Sequence, residues 1–431
     1  MQSVRLIYRI AFAVLLAMNA AGGETPGAAT HFAFKFGAAS ASSTPDILLV
    51  TPDAFYGKER GYGFETGAKV AAHDGGVSSG TPFYFSVAVP EGNYKVSVTL
   101  GDPAAASCVS VKAELRRLML ENIQVPAGKF ETLSFVVNVR RPEFPGGKVH
   151  LKMPRESVDE AWAWDEKLTL EFNGSHTSLG ALSLEKIEVP TVFILGDSTV
   201  CDQSKEPYAS WGQMLPRFFK PDIAVANHAE SGETLNSSAH AQRLDKVLSL
   251  AKSGDYVLLQ FGHNDMKSKD ADAVQNYKST LKKWVQQIKQ KGAAPILMTP
   301  MNRHSFEGNI VVNSLREYPQ MVREAAQEEA VALIDLNAMS KILYEALGPE
   351  GSRELFKHTA NPKEFDGTHH SPFGAYELAR CVIEGMRKSK LELASHIAAD
   401  AGEFDPAKPD SAADFKVPPS RGSAKLRPLG D

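Results

Sequence analysis

Hydrophobic and polar residues alternate along much of the chain from about His31 to Val189. Phe32, Phe34 and Phe36 show this period of two, and it returns at residues 83–89, 94–100, 135–139, 149–153 and 168–172. A period of two is typical of β-strands that bury one face. Many short strands with Gly- and Pro-rich turns predict an all-β sandwich domain over residues 24–189. The turn at residues 90–93 is interpreted as a hairpin connection between its flanking strands.

After Pro190 the pattern changes to short apolar runs separated by segments with helical spacing. The runs lie at residues 192–195, 223–226, 256–261, 295–298 and 331–334, and they are typical of parallel strands buried on both faces. Between the third and fourth runs, Tyr277, Leu281 and Trp284 recur on one helix face. This order predicts a doubly wound α/β domain over residues 190–394, with its active site beyond the carboxyl ends of the strands.

The two ends of the chain differ from these domains. Arg5 and Arg9 precede an apolar run that extends to Met18, and small residues follow it. This order predicts a signal peptide over residues 1–23 and hence a secreted or periplasmic protein without a transmembrane segment after cleavage, an uncleaved anchor being the alternative. Residues 395–431 are rich in Pro, Ala, Asp and Lys, and they are predicted to form a tail that is either disordered or laid across the surface.

Composition narrows the range of partners. The 431 residues carry a formal net charge of −4, so no basic field favours nucleic acid as a partner. The three cysteines allow at most one disulfide. Four histidines are possible metal ligands, namely His228, His263, His369 and His370. They show no recognised ligand spacing, so no metal site is predicted. The sequence does not indicate an oligomeric state.

Polar motifs follow the first three predicted strands of the α/β domain. Gly196-Asp197-Ser198 follows the first strand, and Ser198 is a candidate nucleophile. Gly232 and Asn264 follow the second and third strands, where backbone and amide N–H groups can stabilise an oxyanion. Each motif alone is more typical of a turn. Together they favour an esterase.

A fourth motif, Asp366-Gly367-Thr368-His369, lies near the end of this domain. Ser371 and Pro372 predict the start of a helix, as N-cap and first helical residue. Asp366 and His369 are therefore placed in the loop before that helix. In a bent loop the carboxylate can orient one imidazole nitrogen while the other faces a serine, which is the logic of a Ser-His-Asp triad.

These motifs resemble a known family. In order and spacing they are similar to the four signature blocks of the SGNH (GDSL) hydrolases over about residues 191–390: Gly196-Asp197-Ser198, Gly232, Gly262-x-Asn264-Asp265 and Asp366-x-x-His369. Within the superfamily, Trp211-Gly212-Gln213 and the segment from Gln260 to Asp265 resemble rhamnogalacturonan acetylesterases. The chain departs from the pattern at Glu233, where a basic residue is common, and at His370, where an aromatic residue is common.

The resemblance implies a flavodoxin-like three-layer αβα hydrolase domain that needs no cofactor. It implies that Ser198 is the nucleophile, His369 its base and Asp366 the acid that orients the base. The N–H groups of Ser198, Gly232 and Asn264 would form the oxyanion hole. Candidate substrate contacts are His263, Arg303 and His304.

The substrate implied by the resemblance is an acetylated polysaccharide of the plant cell wall, with rhamnogalacturonan (pectin) first. Acetylated xylan, another acetylated glycan, or a lipid or aryl ester is the alternative. A glycan-binding protein with an inactive hydrolase domain is the alternative of a different class. It is disfavoured because the nucleophile, base, acid and oxyanion residues are all present.

The N-terminal domain carries a resemblance of its own. Residues 31–189 resemble the galactose-binding-like β-sandwich found ahead of some esterases of this kind, most clearly at residues 116–121 and 164–172. Trp162 and Trp164 are candidates for stacking on sugar rings, since aromatic faces supply oriented apolar area. Packing in the core or between the domains is the other interpretation of both residues, and the one favoured here.

Overall fold

The structure, a computed structural model, describes residues 30–41, 44–357 and 365–422. The signal peptide predicted over residues 1–23 lies outside this range. Among the described helices, none is both long and apolar enough to cross a membrane. The α-helices are α1 (Trp211–Met214), α2 (Leu235–His240), α3 (Arg243–Leu250), α4 (Ala273–Gln290), α5 (Tyr318–Glu328), α6 (Leu336–Gly351) and α7 (Pro372–Lys388).

The N-terminal region, residues 30–189, is built from strands. They are β1 (His31–Phe36), β2 (Leu48–Val50), β3 (Tyr62–Phe64), β4 (Ala71–His73), β5 (Gly76–Ser79), β6 (Phe83–Ala88), β7 (Gly92–Leu100), β8 (Ser107–Ala113), β9 (Arg117–Val125), β10 (Glu131–Val139), β11 (Glu143–Phe144), β12 (Gly147–Lys148), β13 (Lys167–Leu179) and β14 (Ala181–Ile187). One sheet has the order β10-β7-β14-β1-β2, and the other has the order β3-β6-β13-β5-β4, with β8 joining β13 to β9. Alternate side chains from both sheets, such as Val96 and Phe85, share one hydrophobic core.

Two predictions for this region are wrong. Residues 90–93 do not form a hairpin, because β6 pairs with β3 and β13 whereas β7 pairs with β10 and β14. The turn instead carries the chain from one sheet to the other. Alternation identifies a strand but does not identify its partner. Residues 149–153 are not a strand either: they form an irregular segment after β12 that leads into a π-helical turn at Arg155–Asp159.

The C-terminal region begins at Thr191 and contains β15 (Thr191–Gly196), β16 (Ala224–Asn227), β17 (Tyr256–Gln260), β18 (Ala294–Met298), β19 (Phe306–Glu307), β20 (Ile310–Val311), β21 (Ala332–Ile334), β22 (Phe356–Lys357) and β23 (Asp366–His370). Its central sheet is parallel, with the order β16-β15-β17-β18-β21. Ile194 packs on one face in a core shared with α7, and Leu195 packs on the other in a core shared with α4. The five predicted strands and the helix between the third and fourth are observed.

The motif Asp366-Gly367-Thr368-His369 forms a strand and not the predicted loop. Asp366 and His369 lie on β23, which pairs antiparallel with β22, so the prediction of a loop is wrong here. The partner strand β22 is only two residues long, so it leaves no hydrophobic pattern that would predict a strand. The predicted helix start is observed, because the Ser371 side chain accepts a hydrogen bond from the Gly374 N–H as the N-cap of α7.

Buried charged and apolar side chains join the two regions. Arg117 on β9 is 1% exposed, and it donates to the carbonyl of Val225 on β16 (3.0 Å) and to that of Asn138 on β10 (2.8 Å). The neighbouring Leu118 packs into the core of the C-terminal region. The interface is therefore continuous with the hydrophobic core on one face of the parallel sheet.

The described part of the tail lies across both regions. The Phe415 ring packs against Phe373 and Tyr376 of α7. Further along, the Lys112 ammonium of β8 donates to the carbonyl of Pro418 at 2.8 Å. For residues 395–422 the structure has the second of the two predicted alternatives, in which the tail lies across the surface.

Candidate active site

Three predicted site residues meet at the carboxyl end of the parallel sheet. Ser198 lies just after β15, and Asp366 and His369 lie on β23. The His369 Nε2 atom is 2.8 Å from Ser198 Oγ, and His369 Nδ1 is 2.9 Å from Asp366 Oδ2. All three residues are at most 2% exposed. The geometry is that of a serine activated by an imidazole that a carboxylate orients.

The Asp366 carboxylate is held in its ionised form. Its Oδ1 atom accepts the backbone N–H groups of Thr368 and His369, each at 3.0 Å. Burial opposes ionisation, but the hydrogen bond from His369 and these N–H groups lower the pKa of Asp366 to about 2. An ionised Asp366 keeps the proton of His369 on Nδ1, so Nε2 is left to accept the proton of Ser198.

Side chains that the motifs do not include hold the loop that carries Ser198. The Ser198 carbonyl accepts hydrogen bonds from Gln203 Nε2 and from Ser210 Oγ, both at 2.8 Å. Asp197 Oδ1 accepts from the backbone N–H and the hydroxyl of Thr199 at 2.9 and 2.7 Å. Sequence reasoning missed Gln203 and Ser210, because neither belongs to a motif with a defined spacing from the serine.

The loop also depends on the close approach of β17. A Cβ atom at Gly196 would lie 2.7 Å from the Gln260 carbonyl oxygen and 2.6 Å from Val200 Cγ2, so only glycine fits there. The Gln260 amide donates to Thr199 Oγ1 and accepts from Trp211 Nε1, each at 2.9 Å. Gln260 and Trp211, two of the residues on which the resemblance to acetylesterases rests, therefore hold the serine loop through hydrogen bonds from Trp211 to Gln260 and from Gln260 to Thr199.

The predicted oxyanion donors lie on neighbouring loops. Gly232 has a φ of +74°, which belongs to the left-handed region that favours glycine. Within the described part of the chain, neither the Ser198 N–H nor the Gly232 N–H donates to a protein acceptor. Asn264 Nδ2 donates to the Glu233 carbonyl at 3.0 Å, which ties the amide to the glycine loop and leaves its second N–H for a ligand.

Asp265 and His263 brace this arrangement. Asp265 accepts the backbone N–H groups of Leu235 and Gly262, each at 3.0 Å, and so joins the loops after β16 and β17. Its burial raises its pKa to about 7. His263 is buried, with Nε2 3.1 Å from the Met301 carbonyl and Nδ1 3.5 Å from Asp197 Oδ2.

The structure favours a bracing role for two of the three predicted substrate contacts. The ring nitrogens of His263 face protein groups. The His304 ring packs against Phe306, Phe356 and Phe365, and its Nε2 atom lies 2.9 Å from the Pro349 carbonyl. Arg303 is partly exposed, and it donates to the His263 carbonyl at 3.2 Å. A contact between Arg303 and substrate stays a prediction.

The two departures from the family pattern are buried side chains with partners inside the protein. Glu233 is fully buried; its carboxylate lies 2.9 Å from Lys152 Nζ and 3.7 Å from Arg243 Nε. His370 Nε2 lies 3.0 Å from the Tyr344 hydroxyl, and burial lowers the pKa of His370 to about 3. His370 is therefore neutral at ordinary pH and stands beside the triad without joining it.

Three buried carboxylates lie together at the interface of the two regions. The oxygens of Glu156, Glu160 and Glu230 are within 4.8 Å of one another, close enough to share an ion. Arg155 Nε and Arg243 Nη2 already bind Glu160 and Glu156, each at 2.6 Å. Burial raises the pKa of both Glu160 and Glu230. Cations of the chain therefore compensate part of the charge of this cluster, and burial disfavours the ionised form of Glu160 and Glu230.

The two candidate tryptophans of the N-terminal region differ in their surroundings. Trp164 is 8% exposed, donates from Nε1 to Glu156 at 3.0 Å, and has the Arg140 guanidinium 4.5 Å from its ring centroid. Trp164 therefore packs at the interface of the two regions, which agrees with the interpretation favoured from the sequence. Trp162 is partly exposed and packs on Tyr84, with ring centroids 5.2 Å apart. Stacking of Trp162 on a sugar stays a prediction.

Comparisons with known proteins identify the family of the chain. Residues 194–373 match the GDSL-like Lipase/Acylhydrolase family. The chain is 37% identical over 222 residues to the rhamnogalacturonan acetylesterase RhgT of Bacillus subtilis, which covers 49% of this chain and 96% of that protein. It is 29% identical over 403 residues to the uncharacterized esterase YxiM of Bacillus subtilis, with 88% and 97% covered.

Among solved structures, the X-ray structure of the YxiM protein from Bacillus subtilis has 27% sequence identity and a TM-score of 0.46, and it covers 84% of this chain and 99% of that one. The family match includes the residues that carry the serine, the asparagine, the aspartate and the histidine. The RhgT alignment extends over nearly the whole of that relative. The chain is a carboxylic ester hydrolase and belongs to the GDSL-like lipase/acylhydrolase family.

Proposed function

We propose that this protein is a serine esterase that removes O-acetyl groups from plant cell-wall polysaccharide, with rhamnogalacturonan as the preferred substrate. The observation that carries the proposal is the hydrogen-bonded series from Ser198 Oγ through His369 to Asp366. The signal-peptide pattern of residues 1–23 supports action outside the cytoplasm, in a secreted or periplasmic form.

The mechanism follows from the atoms at the site. His369 Nε2 takes the proton of Ser198 as Oγ attacks the acetyl carbonyl, and the ionised Asp366 stabilises the imidazolium. The N–H groups of Ser198, Gly232 and Asn264 stabilise the charge on the tetrahedral oxygen. His369 then donates its proton to the departing sugar oxygen, so the sugar leaves with a free hydroxyl group and an acetyl-enzyme remains. Water, deprotonated by His369, attacks the acetyl-enzyme, and His369 returns the proton to Ser198 Oγ as acetate leaves.

Two observations support a sugar ester as substrate. Asn264 lines a cavity of about 470 Å³ to which Ser198 and His369 do not contribute, and hydroxyl, amide and carboxylate groups also line it, from Thr234, Asn236, Ser268, Asp270, Asn276 and Ser279. Such groups suit a ligand with many hydroxyl groups better than a lipid chain. The relative with 37% identity is named a rhamnogalacturonan acetylesterase.

A first experiment separates an esterase from a glycan-binding protein with an inactive hydrolase domain. Hydrolysis of p-nitrophenyl acetate should be readily measured with the full chain and should fall by at least about 10³-fold in Ser198→Ala, since the nucleophile is lost. Unchanged hydrolysis in Ser198→Ala would exclude Ser198 as the nucleophile.

A second experiment compares substrates. Acetate release should be fastest from acetylated rhamnogalacturonan and slower from acetylated xylan, with long-chain lipid esters slowest. Equal rates on the pectic and xylan substrates would remove the rhamnogalacturonan preference while leaving the esterase mechanism in place.

A further inference from the structure

The loop that carries Gly232 is held by the N-terminal region. Lys152 Nζ donates to the Ser231 carbonyl oxygen at 2.6 Å, and Arg155 Nη2 donates to the Ser231 hydroxyl at 2.7 Å. Lys152 lies on the irregular segment that follows β12, and Arg155 is the first residue of the π-helical turn after it. This segment therefore contacts the residue immediately before the proposed oxyanion donor.

The contact of Lys152 has a direct consequence for Gly232. The Ser231 carbonyl and the Gly232 N–H belong to one peptide unit, which is planar and trans, so the two groups point in opposite directions. A hydrogen bond that fixes the carbonyl therefore fixes the direction of the N–H. A cation on the carbonyl oxygen also polarises the peptide and strengthens its N–H as a donor.

Lys152 is itself well anchored. Its backbone N–H donates to Glu156 Oε2 at 2.7 Å, and that carboxylate also binds Arg243. Its ammonium lies 2.9 Å from the carboxylate of Glu233, the residue after Gly232. One ammonium thus binds the residues on both sides of the glycine. The Lys152 side chain is 30% exposed, so its replacement leaves no large buried cavity.

We propose that Lys152 is a positioning residue: it orients the Ser231-Gly232 peptide so that the Gly232 N–H faces the developing oxyanion. The N-terminal region then contributes to catalysis without touching the reacting atoms. This inference rests on the proposed esterase function.

The test compares two lysine variants of the full chain. Lys152→Met removes the ammonium and should lower kcat for p-nitrophenyl acetate by about 10- to 100-fold, with KM changed by less than about two-fold, because a misaligned donor weakens the transition state more than the bound substrate. Lys205→Met is the matched control. It removes another ion pair between the regions, from Lys205 Nζ to Asp159 Oδ1 at 2.6 Å, without touching the glycine loop, and it should leave kcat unchanged.

Lys152→Arg keeps a cation, so its kcat should be higher than that of Lys152→Met. Its unfolding temperature should be close to those of Lys152→Met and Lys205→Met. Wild-type kcat in Lys152→Met would overturn the inference. The inference would also be overturned if Lys152→Met and Lys205→Met lost the same fraction of kcat and both had a lowered unfolding temperature. If Lys152→Met does not fold, Lys152→Gln is judged by the same criteria. An active Ser198→Ala would instead contradict the proposed function.

Discussion

At the scale of single residues, the site depends on a few hydrogen bonds whose partners are buried. Ser198, His369 and Asp366 are each at most 2% exposed to solvent. In such surroundings an unmatched donor or acceptor is costly, since water cannot replace a lost partner. Conservative substitutions at the site should therefore affect activity strongly.

Asp366→Asn tests the orienting role of the carboxylate. An amide at this position cannot stabilise an imidazolium and favours the wrong tautomer of His369, so kcat for p-nitrophenyl acetate should fall by about 10³- to 10⁴-fold with little change in KM. Asp222→Asn is the control, because Asp222 Oδ1 also lies 3.0 Å from a histidine nitrogen, that of His396, at the surface. Similar kinetics for the two variants would contradict the role of Asp366.

Asn264→Ala tests the amide donor of the oxyanion hole. The loss of one donor should lower kcat by about 10²- to 10³-fold without abolishing activity, because the two backbone donors remain. Steady-state kinetics beside Ser198→Ala measure the difference. Turnover at the wild-type rate would remove Asn264 from the mechanism.

At the scale of secondary structure, strand ends and tight loops place the site residues. Ser198 follows β15 directly, and β23 carries both His369 and Asp366 because it pairs with β22. The serine loop can approach β17 only because Gly196 has no side chain. A small shift of the backbone at the end of β15 should therefore lower both the free energy of unfolding and kcat.

Gly196→Ala tests the close approach of the serine loop to β17. The added methyl group would lie within 2.7 Å of the Gln260 carbonyl and of Val200, so the loop must shift. We expect a loss of about 1–3 kcal/mol in the free energy of unfolding and a loss of kcat. Gly57→Ala is the control, because a Cβ atom there would meet no atom within 4 Å. Urea unfolding and kinetics that match wild type would show that the loop tolerates the methyl group.

At the scale of the whole molecule, the tail joins the two regions on the side of β8 and β13. The Ser420 hydroxyl donates to Glu171 at 2.6 Å and accepts from Lys112 at 2.8 Å, and its backbone N–H donates to Glu206 at 2.9 Å. Lys112 and Glu171 are each 3% exposed. Buried charged groups thus depend on the tail for part of their hydrogen bonding.

A chain that ends at Asp410 tests this contribution. The loss of the bonds to Lys112, Glu171 and Glu206 should lower the free energy of unfolding by at least about 2 kcal/mol. The kcat for p-nitrophenyl acetate should stay within about two-fold, since the bonds that are lost join Ser420 to Lys112, Glu171 and Glu206 and not to the triad. A chain that ends at Gly422 keeps these contacts and is the control. Equal urea midpoints for the two chains would contradict a structural role for the tail.

Much of the fold and of the candidate site follows from local patterns. Alternation located many of the N-terminal strands, and apolar runs located the parallel strands, because the period of buried positions is a property of the segment itself. The motifs at Ser198, Gly232 and Asn264 follow three of those strands. Because parallel strands end at one edge of a sheet, the sequence alone predicts that these residues lie close together.

The tertiary structure decided which strands and which side chains become partners. The crossing between sheets at residues 90–93, the pairing of β22 with β23 and the bonds from Gln203 and Ser210 to Ser198 have no local signature. The same holds for Lys152, which lies 79 positions from the carbonyl that it binds. Sequence periodicity reports which face of a segment is buried, but only the folded chain determines which groups meet there.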